Sequence, residues 1–179
     1  SWLKAEGIPF TSFRPTYIYG PGNYNPIEKW FFDRITNSRS IPLPHDGQVI
    51  TQLGHVSDLA EAISLSLETE KAKNQIYNCS GSKAVTFKGL IETAILATGK
   101  KVTDFELRSF DPSKIDPKAR KAFPLRLSNF FTDISKIKKD LSWEPKFDLL
   151  NGLTDSYEHD YLVTNHEQID FSSDELLFD

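Results

Sequence analysis

One segment of the sequence combines cations with an aromatic ring in a way that suits RNA binding. Its candidate RNA-binding residues are Lys114, Lys118, Arg120, Lys121, Phe123 and Arg126. The cations could neutralise backbone phosphates while the ring stacks on a base. The same composition also fits a solvated loop, and the residue types alone leave both interpretations open. A second basic set is scattered and weaker, and it comprises Lys71, Lys73 and Lys83.

A stretch from Pro9 to Pro26 has the pattern of a ligand-binding connection. Residues 10–13 are β-branched or aromatic apart from one serine, which predicts a buried strand that ends at Pro15. A Gly-Pro-Gly turn at 20–22 follows, and Asn25-Pro26 is typical of an N-cap and first helical turn. Open α/β sheets bind ligands just outside the carboxyl ends of such strands.

The candidate cofactor-binding residues of this stretch are Arg14, Tyr17, Tyr19 and Asn23. Each also has a structural interpretation. Arg14 is expected to bond backbone carbonyls in the loop, and the other three could line a cleft or pack within the fold. An ordinary strand-to-helix connection explains the stretch equally well.

The sequence shows no convergent set of metal ligands. His55 and Asp58 lie one helical turn apart, whereas His45 and His159 have no partner that the sequence identifies. Metal or nuclease chemistry needs several carboxylates or histidines in one place. We therefore predict no metal site, name no catalytic residue, and assign Cys79, which lies in an apolar run, to the core.

Composition limits the possible functions. The 179 residues, of which 39% are hydrophobic and 26% charged, suffice for one globular unit or slightly more. A net charge of -4 gives no global attraction to nucleic acid. No apolar run approaches the roughly 20 residues that span a bilayer, and a single cysteine suits a reducing compartment. Because the sequence lacks methionine and opens like the end of a helix at Gly7, we expect the carboxyl-terminal part of a longer protein.

The elements that must position these residues alternate between helix and strand. Helices are predicted at 26–38, from Ser57 as N-cap, from Thr86 to about Thr98 with Gly99 ending it, from Thr132 to Leu141, and at 150–163. Strands are predicted at 49–53 after a hairpin at Asp46-Gly47, at 76–80 and at 102–110, with an ordered connection over 111–131. This alternation indicates an α/β protein with too few strands for a complete doubly wound sheet.

Three motifs in this order resemble the extended short-chain dehydrogenase/reductase family of sugar-nucleotide epimerases and dehydratases. They are Arg14-Pro15-x-x-x-Tyr19-Gly20-Pro21, His55-Val-Ser-Asp58-Leu-Ala60, and Asp133-Ile-Ser-Lys136 followed by Leu141-Ser-Trp143-Glu-Pro145 and Gly152-Leu153. The resemblance implies the last strand of a Rossmann sheet plus a small α/β substrate-type domain. It implies domain limits of 1–25 for the end of the Rossmann-like domain, 26–165 for a mixed α/β carboxyl-terminal domain and 166–179 for an acidic tail. In that family the His55–Asp58 motif caps and packs a helix.

The chain resembles more closely the plastid and cyanobacterial branch called chloroplast stem-loop-binding proteins. The similar runs include Tyr17-Ile-Tyr-Gly-Pro21, Gln52-Leu-Gly-His-Val56, Lys121-Ala-Phe-Pro124 and Gly152-Leu-Thr-Asp-Ser-Tyr157. The resemblance implies a protein of the plastid stroma or cyanobacterial cytoplasm that is associated with structured RNA and ribosomes, without a membrane. It further implies homo-oligomers or hetero-oligomers with paralogues, and endoribonuclease activity with a divalent metal such as Mg²⁺.

The sequence also departs from the enzymes of the wider family. It contains neither their Gly-x-x-Gly-x-x-Gly phosphate loop nor their Tyr-x-x-x-Lys pair, so NAD(P) binding is expected only together with an amino-terminal part. Thr51 occupies the position where these enzymes usually place an arginine on the nucleotide diphosphate, and threonine offers no guanidinium fork. An NAD-dependent sugar-nucleotide epimerase or dehydratase and a non-catalytic assembly subunit are the alternatives.

Overall fold

A computed structural model describes residues 2–116, 119–164 and 169–178. Its helices are α1 (Trp2–Ala5), α2 (Ile27–Thr36), α3 (Val56–Glu68), α4 (Phe87–Ala97), α5 (Ser135–Leu141), α6 (Leu149–Ser156) and α7 (Ser172–Glu175). Its strands are β1 (Thr11–Pro15), β2 (Tyr17–Tyr19), β3 (Ile41–Pro44), β4 (Ile50–Thr51), β5 (Leu53–His55), β6 (Gln75–Cys79), β7 (Val85–Thr86) and β8 (Leu107–Phe110). A single π turn, Tyr157–Tyr161, continues α6. Within the described ranges, no helix combines the length and the apolar character needed to cross a bilayer.

Parallel pairing dominates the strands. β1 pairs with β6, β2 with β5 and β3 with β8, all in parallel, whereas β4 and β7 are antiparallel. Parallel neighbours need a crossover connection, and the helices between these strands supply it. The alternation of helix and strand predicted from the sequence is therefore present.

The predicted hairpin at Asp46-Gly47 is wrong. Gly47 N–H donates to Pro44 O at 2.9 Å and closes a turn, but β3 then pairs with β8 instead of the next strand. Pro42 and Pro44 have no N–H to donate, and the neighbouring N–H groups of Ile41 and His45 bond to the β8 side. The chain beyond the turn forms β4 and β5, which are separated at Gln52.

Strand β1 is less buried than its composition predicts. Its first three residues are half-buried, and Arg14 and Pro15 are exposed. Among the described residues, β6 is its only ladder partner, so the prediction of a buried strand is wrong here. The composition of a segment indicates that its residues favour a β-sheet. It does not indicate whether one or both faces of that sheet are covered.

Two clusters of apolar side chains form the core. The larger one joins α2, α4 and the strands beside them around Phe31, Phe32 and Ile91. The smaller one packs Tyr77 and Cys79 of β6 against α5 and Trp143, with Cys79 3% exposed. This burial confirms the assignment of Cys79 to the core, and it raises the pKa of the thiol to about 12.

Helix ends follow the expected chemistry at one helix and differ at another. Thr86 Oγ1 accepts a hydrogen bond from Gly89 N–H, and Gly99 at φ +75° follows the end of α4, as predicted. At α3 the cap is His55, whose Nδ1 accepts from Ser57 N–H, so the prediction of Ser57 as N-cap is wrong by two residues. Asp58 is buried and accepts from the backbone N–H groups of Lys146 and Phe147.

The acidic tail, described from residue 169 to 178, is docked on the domain. Asp174 is 4% exposed and forms a buried ion pair with Arg34 of α2, whose Nε donates to Asp174 Oδ2 at 3.2 Å. The guanidinium also lies 3.5 Å from the centre of the Trp30 ring. A buried ion pair adds little to the free energy of unfolding compared with two apolar side chains in the same place. Removal of one partner, however, leaves the other charge buried and uncompensated.

We expect Asp174→Ala to lower the free energy of unfolding by about 3 kcal/mol, because it leaves the buried Arg34 guanidinium without its carboxylate partner. Urea denaturation measures this loss. Glu175→Ala is the matched control, since Glu175 is exposed and lies 3.7 Å from an exposed Arg108. The control should change stability by less than about 0.5 kcal/mol. Equal losses of unfolding free energy in the two variants would contradict the larger contribution expected of the buried ion pair.

Gly152 of α6 lies against a rigid buried ring. A Cβ at this position would stand 2.0 Å from the Tyr19 hydroxyl and 2.7 Å from its ring carbon Cζ. We expect Gly152→Ala to destabilise the protein by about 1–3 kcal/mol, because Tyr19 has no room to withdraw. Thermal unfolding measures the effect. The adjacent exposed variant Asn151→Ala should lose clearly less, and a stable Gly152→Ala protein would contradict the close contact.

Candidate functional site

Tyr17 connects the two candidate regions of the sequence. Its hydroxyl accepts the backbone N–H of Arg126 at 2.7 Å, and its ring meets Phe130 edge-on at 5.3 Å. Strand β2 thereby holds segment 111–131, which joins β8 to α5. The sequence contains both partners but gives no indication that they meet, because 109 positions separate them.

The other expected cofactor-binding residues are engaged within the fold or stand apart. Tyr19 is 2% exposed, its hydroxyl donates to Asp148 O at 3.5 Å, and burial with nearby carboxylates raises the pKa of its hydroxyl. Asn23 Nδ2 donates to Ile18 O at 2.8 Å and closes the loop. Arg14 is exposed, and the bond to a loop carbonyl that was expected of it is made by Asn23 instead.

These four side chains do not converge on one space. Tyr19 is buried in the core, and Arg14 is exposed on β1. Tyr17 and Asn23 form hydrogen bonds to backbone groups of Arg126 and Ile18. Within the described residues they therefore do not line a common pocket for NAD. The glycine loop and the Tyr-x-x-x-Lys pair that would hold and serve that cofactor do not occur in this sequence.

The cations of segment 111–131 face the solvent. Lys114, Arg120 and Arg126 are exposed. Lys114 Nζ lies 3.5 Å from Asp111, and the Arg126 guanidinium lies 4.6 Å from the centre of the Phe130 ring. Lys118 and the side chain of Lys121 fall outside the described part. The described cations of the segment are thus displayed at the surface.

Phe123 does not have the exposed face that base stacking needs. It is 4% exposed and packs against Trp30, Phe87 and Phe110 at ring-centre distances of 5.4, 5.3 and 6.0 Å. The stacking role predicted for it is therefore wrong. The exposed aromatic ring of the segment is Phe131, which is 58% exposed. Both rings lie in a stretch without helical or strand periodicity, so the sequence pattern could not predict which ring is buried and which is exposed.

Thr51 lies beneath the end of the same segment. It is 1% exposed and forms an isolated parallel bridge with Phe130. Ile50 O accepts from Phe130 N–H, and Ile50 N–H donates to Asn129 Oδ1, both at 2.9 Å. The position at which the wider family usually presents an arginine to a nucleotide diphosphate is thus covered by the protein itself.

His55 and His159 both lie beside the carboxylate of Asp155. His55 Nε2 lies 3.2 Å from Asp155 Oδ2, and the ring stacks on Phe147 at 3.8 Å. Burial lowers the pKa of His55, although Asp155 and Asp58 oppose the shift. His159 Nδ1 lies 2.9 Å from the other Asp155 oxygen. Across the described ranges, no three His, Cys, Asp or Glu side chains are grouped to hold a metal, so a resident Mg²⁺ does not fit them.

Comparison with known proteins identifies the relatives of this chain. Residues 1–80 match the NAD dependent epimerase/dehydratase family. The chain is 46% identical over 178 residues to chloroplast stem-loop binding protein of 41 kDa b of Arabidopsis thaliana, which covers 99% of the chain and 47% of that relative. The predicted resemblance to the stem-loop-binding branch is confirmed.

Two solved structures show the same fold. UDP-glucose 4-epimerase of Thermotoga maritima, solved with UDP-glucose, has a TM-score of 0.70 at 23% identity over 88% of this chain and 48% of its own. UDP-glucuronic acid 4-epimerase of Bacillus cereus, in complex with NAD, has a TM-score of 0.69 at 19% identity over 88% and 46%. The predicted fold class, the carboxyl-terminal part of a Rossmann-type epimerase fold, is confirmed. The chain spans about half the length of these relatives.

We expect Tyr17→Phe to loosen segment 111–131, because it removes the acceptor of the Arg126 N–H. The loss of unfolding free energy should be about 1 kcal/mol, since water can replace part of the bond. Amide hydrogen exchange at Arg126 measures the local effect directly. Exchange unchanged from the wild type would contradict the role of this hydroxyl, and Tyr24→Phe, at a tyrosine that is 99% exposed, is the control.

Proposed function

We propose that this chain binds structured RNA in the plastid through segment 111–131. It is a relative of a chloroplast stem-loop binding protein and has an epimerase/dehydratase type of fold. The observation that carries the proposal is the outward display of Lys114, Arg120 and Arg126 on an ordered connection. The segment holds five basic and two acidic residues in a chain of net charge -4. Its positive charge is therefore local, and it attracts phosphates where the rest of the surface does not.

The order of the segment supports this role. Tyr17 bonds the backbone at Arg126, and Phe123 anchors the preceding turn in the core. Cations on an anchored connection lose less conformational entropy on binding than cations on a free loop. Phe131 takes the stacking role, since its exposed ring follows Phe130, the ring on which Arg126 rests.

The proposal extends to the stroma, to ribosome association and to assembly with copies or paralogues, which the stem-loop-binding branch suggests. It also includes endoribonuclease activity. No cleavage step is assigned to a residue, because the described carboxylates and histidines do not form a Mg²⁺ site. Any divalent ion that takes part would then be carried with the RNA phosphates, the way in which Mg²⁺ is commonly held with few protein ligands.

The alternative function is that of an NAD-dependent sugar-nucleotide epimerase or dehydratase. The family match over residues 1–80 and the NAD-bound relative favour NAD as a ligand of the complete fold. Two features weigh against a sugar nucleotide at the matching place in this chain. Thr51 stands at the position that matches the diphosphate-binding arginine, and it is 1% exposed and bridged to Phe130. A buried threonine offers neither the charge nor the fork that a diphosphate needs.

We expect a stem-loop RNA to bind this chain with an affinity that falls steeply with salt. Each phosphate contact contributes a log–log slope of about -0.7 to -0.9. The triple variant Arg120→Ala/Lys121→Ala/Arg126→Ala should reduce the slope by roughly two units and weaken binding about tenfold or more at moderate salt. Fluorescence anisotropy over a salt series, with and without Mg²⁺, measures both quantities, and a gel of the same RNA detects cleavage.

The matched control is Lys71→Ala/Lys73→Ala/Lys83→Ala, which removes the same charge from three exposed positions elsewhere. It should retain most of the affinity and slope. Equal losses in the two triple variants would mean that only net charge matters and would overturn the assignment to segment 111–131. Binding of UDP-glucose with no RNA binding at low salt would instead support the sugar-nucleotide alternative.

A further inference from the structure

The cap of α3 is a side chain that can take up a proton. His55 ends β5 and is 1% exposed, and its Nδ1 accepts the backbone N–H of Ser57 at 3.3 Å. Because the accepting nitrogen carries no hydrogen, the neutral imidazole has its proton on Nε2. The proposed RNA surface does not use this residue.

The surroundings of the His55 ring exclude water. Phe147 stacks on the imidazole at a ring-centre distance of 3.8 Å, and Tyr19 meets it edge-on at 5.3 Å. The turn at Gly20, whose N–H bonds to Glu28, lies against Nε2, since a Cβ on this glycine would stand 2.7 Å from that nitrogen. An imidazolium here would lose its hydration, so burial lowers the pKa of His55 below its ordinary value.

Carboxylates from two helices oppose the effect of burial. Nε2 lies 3.2 Å from Asp155 Oδ2 of α6, although the two groups are too poorly aligned for a hydrogen bond. Asp58 of α3 adds a second negative charge near the ring. The other oxygen of Asp155 lies 2.9 Å from Nδ1 of His159, in the π turn. The two carboxylates therefore partly offset the lowering of the His55 pKa.

The charged residues on either side of Phe147 interact elsewhere. The ammonium of Lys146 lies 2.6 Å from a carboxylate oxygen of Glu61. The carboxylate of Asp148 caps α6. The charge that acts on the His55 ring is therefore set by the two carboxylates described above.

The first turn of α3 holds a second part of the chain. Asp58 accepts the N–H groups of Lys146 at 2.9 Å and of Phe147 at 3.2 Å. Trp143 Nε1 donates to Asp58 O at 3.1 Å. A change in this turn therefore reaches the segment that leads into α6.

Uptake of a proton by His55 is incompatible with its role as cap. A proton on Nδ1 would place two donors, Nδ1–H and Ser57 N–H, against each other. The N–H of Ser57 belongs to the first turn of α3, where no carbonyl of the helix can accept it. The charged ring can still pair with Asp155 through Nε2, but the cap is lost.

We propose that His55 is a pH-sensitive cap, whose neutral ring closes the first turn of α3 and whose protonation at Nδ1 opens that turn and loosens the hold of Asp58 on residues 146–147. Because the folded chain disfavours the charged ring, the cap stabilises the fold above the ordinary histidine pKa of about 6.5. This contribution is lost as the pH falls through the lowered pKa of His55. The device is independent of RNA binding at segment 111–131.

The test is a pH titration of the ¹⁵N-labelled chain, followed by NMR of the ring nitrogens and the amides. At neutral pH we expect His55 to carry its proton on Nε2. As the pH falls, the amides of Ser57, Lys146 and Phe147 should shift with the midpoint of the His55 ring, at a pH below about 6.5. Hydrogen-exchange protection of the Ser57 amide should fall roughly fivefold across this transition, the ratio expected for loss of a helix cap.

Two variants change the titration in different ways. His55→Asn supplies a cap that does not titrate, so its Ser57 amide should show no acid transition. Asp155→Asn removes a charge that favours the imidazolium, so the His55 midpoint should move to lower pH. The exposed controls, His159→Gln and Asp104→Asn, should both keep the Ser57 transition.

The wild-type titration and the shift in Asp155→Asn decide the test if His55→Asn fails to fold. The proposal is overturned if the neutral His55 ring carries its proton on Nδ1, or if the ring stays neutral until the chain unfolds. It is also overturned if the Ser57 amide follows the midpoint of His159, or if its acid transition persists in His55→Asn.

Discussion

The burial of four apolar side chains from an irregular segment is the constraint on which the proposed RNA surface depends. Ile115, Ala119, Phe123 and Leu125 are each at most 7% exposed, although the described part of the segment between β8 and α5 contains no regular element except a 3₁₀ turn, Ala119–Ala122. Each buried side chain fixes a point of the backbone, and burial of one large apolar side chain contributes about 1.5–3 kcal/mol. Arg120 and Arg126 each follow one of these buried residues directly and are exposed, so the same packing that fixes the backbone also presents positive charge at the surface.

The segment is further connected to the acidic tail through α2. Trp30 Nε1 donates to Ala122 O at 2.8 Å, and its ring carries the Arg34 guanidinium, which pairs with Asp174. One helix thus contacts a basic connection on one side and an acidic tail on the other. Because Asp174 is neutralised by Arg34, its charge adds little to the field near the basic segment. Asp174 contributes mainly packing at this place, and in the described part of the tail Asp170 and Glu175 are exposed and carry negative charge.

Local chemistry in the sequence predicted the features that depend on neighbouring residues. The cap at Thr86, the end of α4 at Gly99 and the core position of Cys79 follow from side-chain type and hydrophobic pattern, and the motifs predicted the fold. Features that depend on distant partners were wrong or missed. The turn at Asp46-Gly47 has hairpin chemistry, yet the strand before it pairs with β8, some 65 residues later. The sequence around Phe123 and Phe131 gives no pattern that predicts which of the two rings is buried. The structure distinguishes them, because Trp30, Phe87 and Phe110 pack around Phe123.

The buried carboxylates show three ways in which the chain satisfies an acidic side chain away from water. Asp58 is 3% exposed and receives two backbone N–H bonds, so its charge is satisfied by the chain that it orients. Asp174 is equally buried and is satisfied by a guanidinium. Glu28 is buried as deeply, and its Oε1 accepts from Gly20 N–H at 2.8 Å and from the Ser156 hydroxyl at 2.7 Å. Burial raises the pKa of this carboxyl, and the two hydrogen bonds oppose the shift. Because one bond holds the turn at Gly20 and the other holds the end of α6, this carboxylate of α2 joins parts of the chain that are distant in sequence.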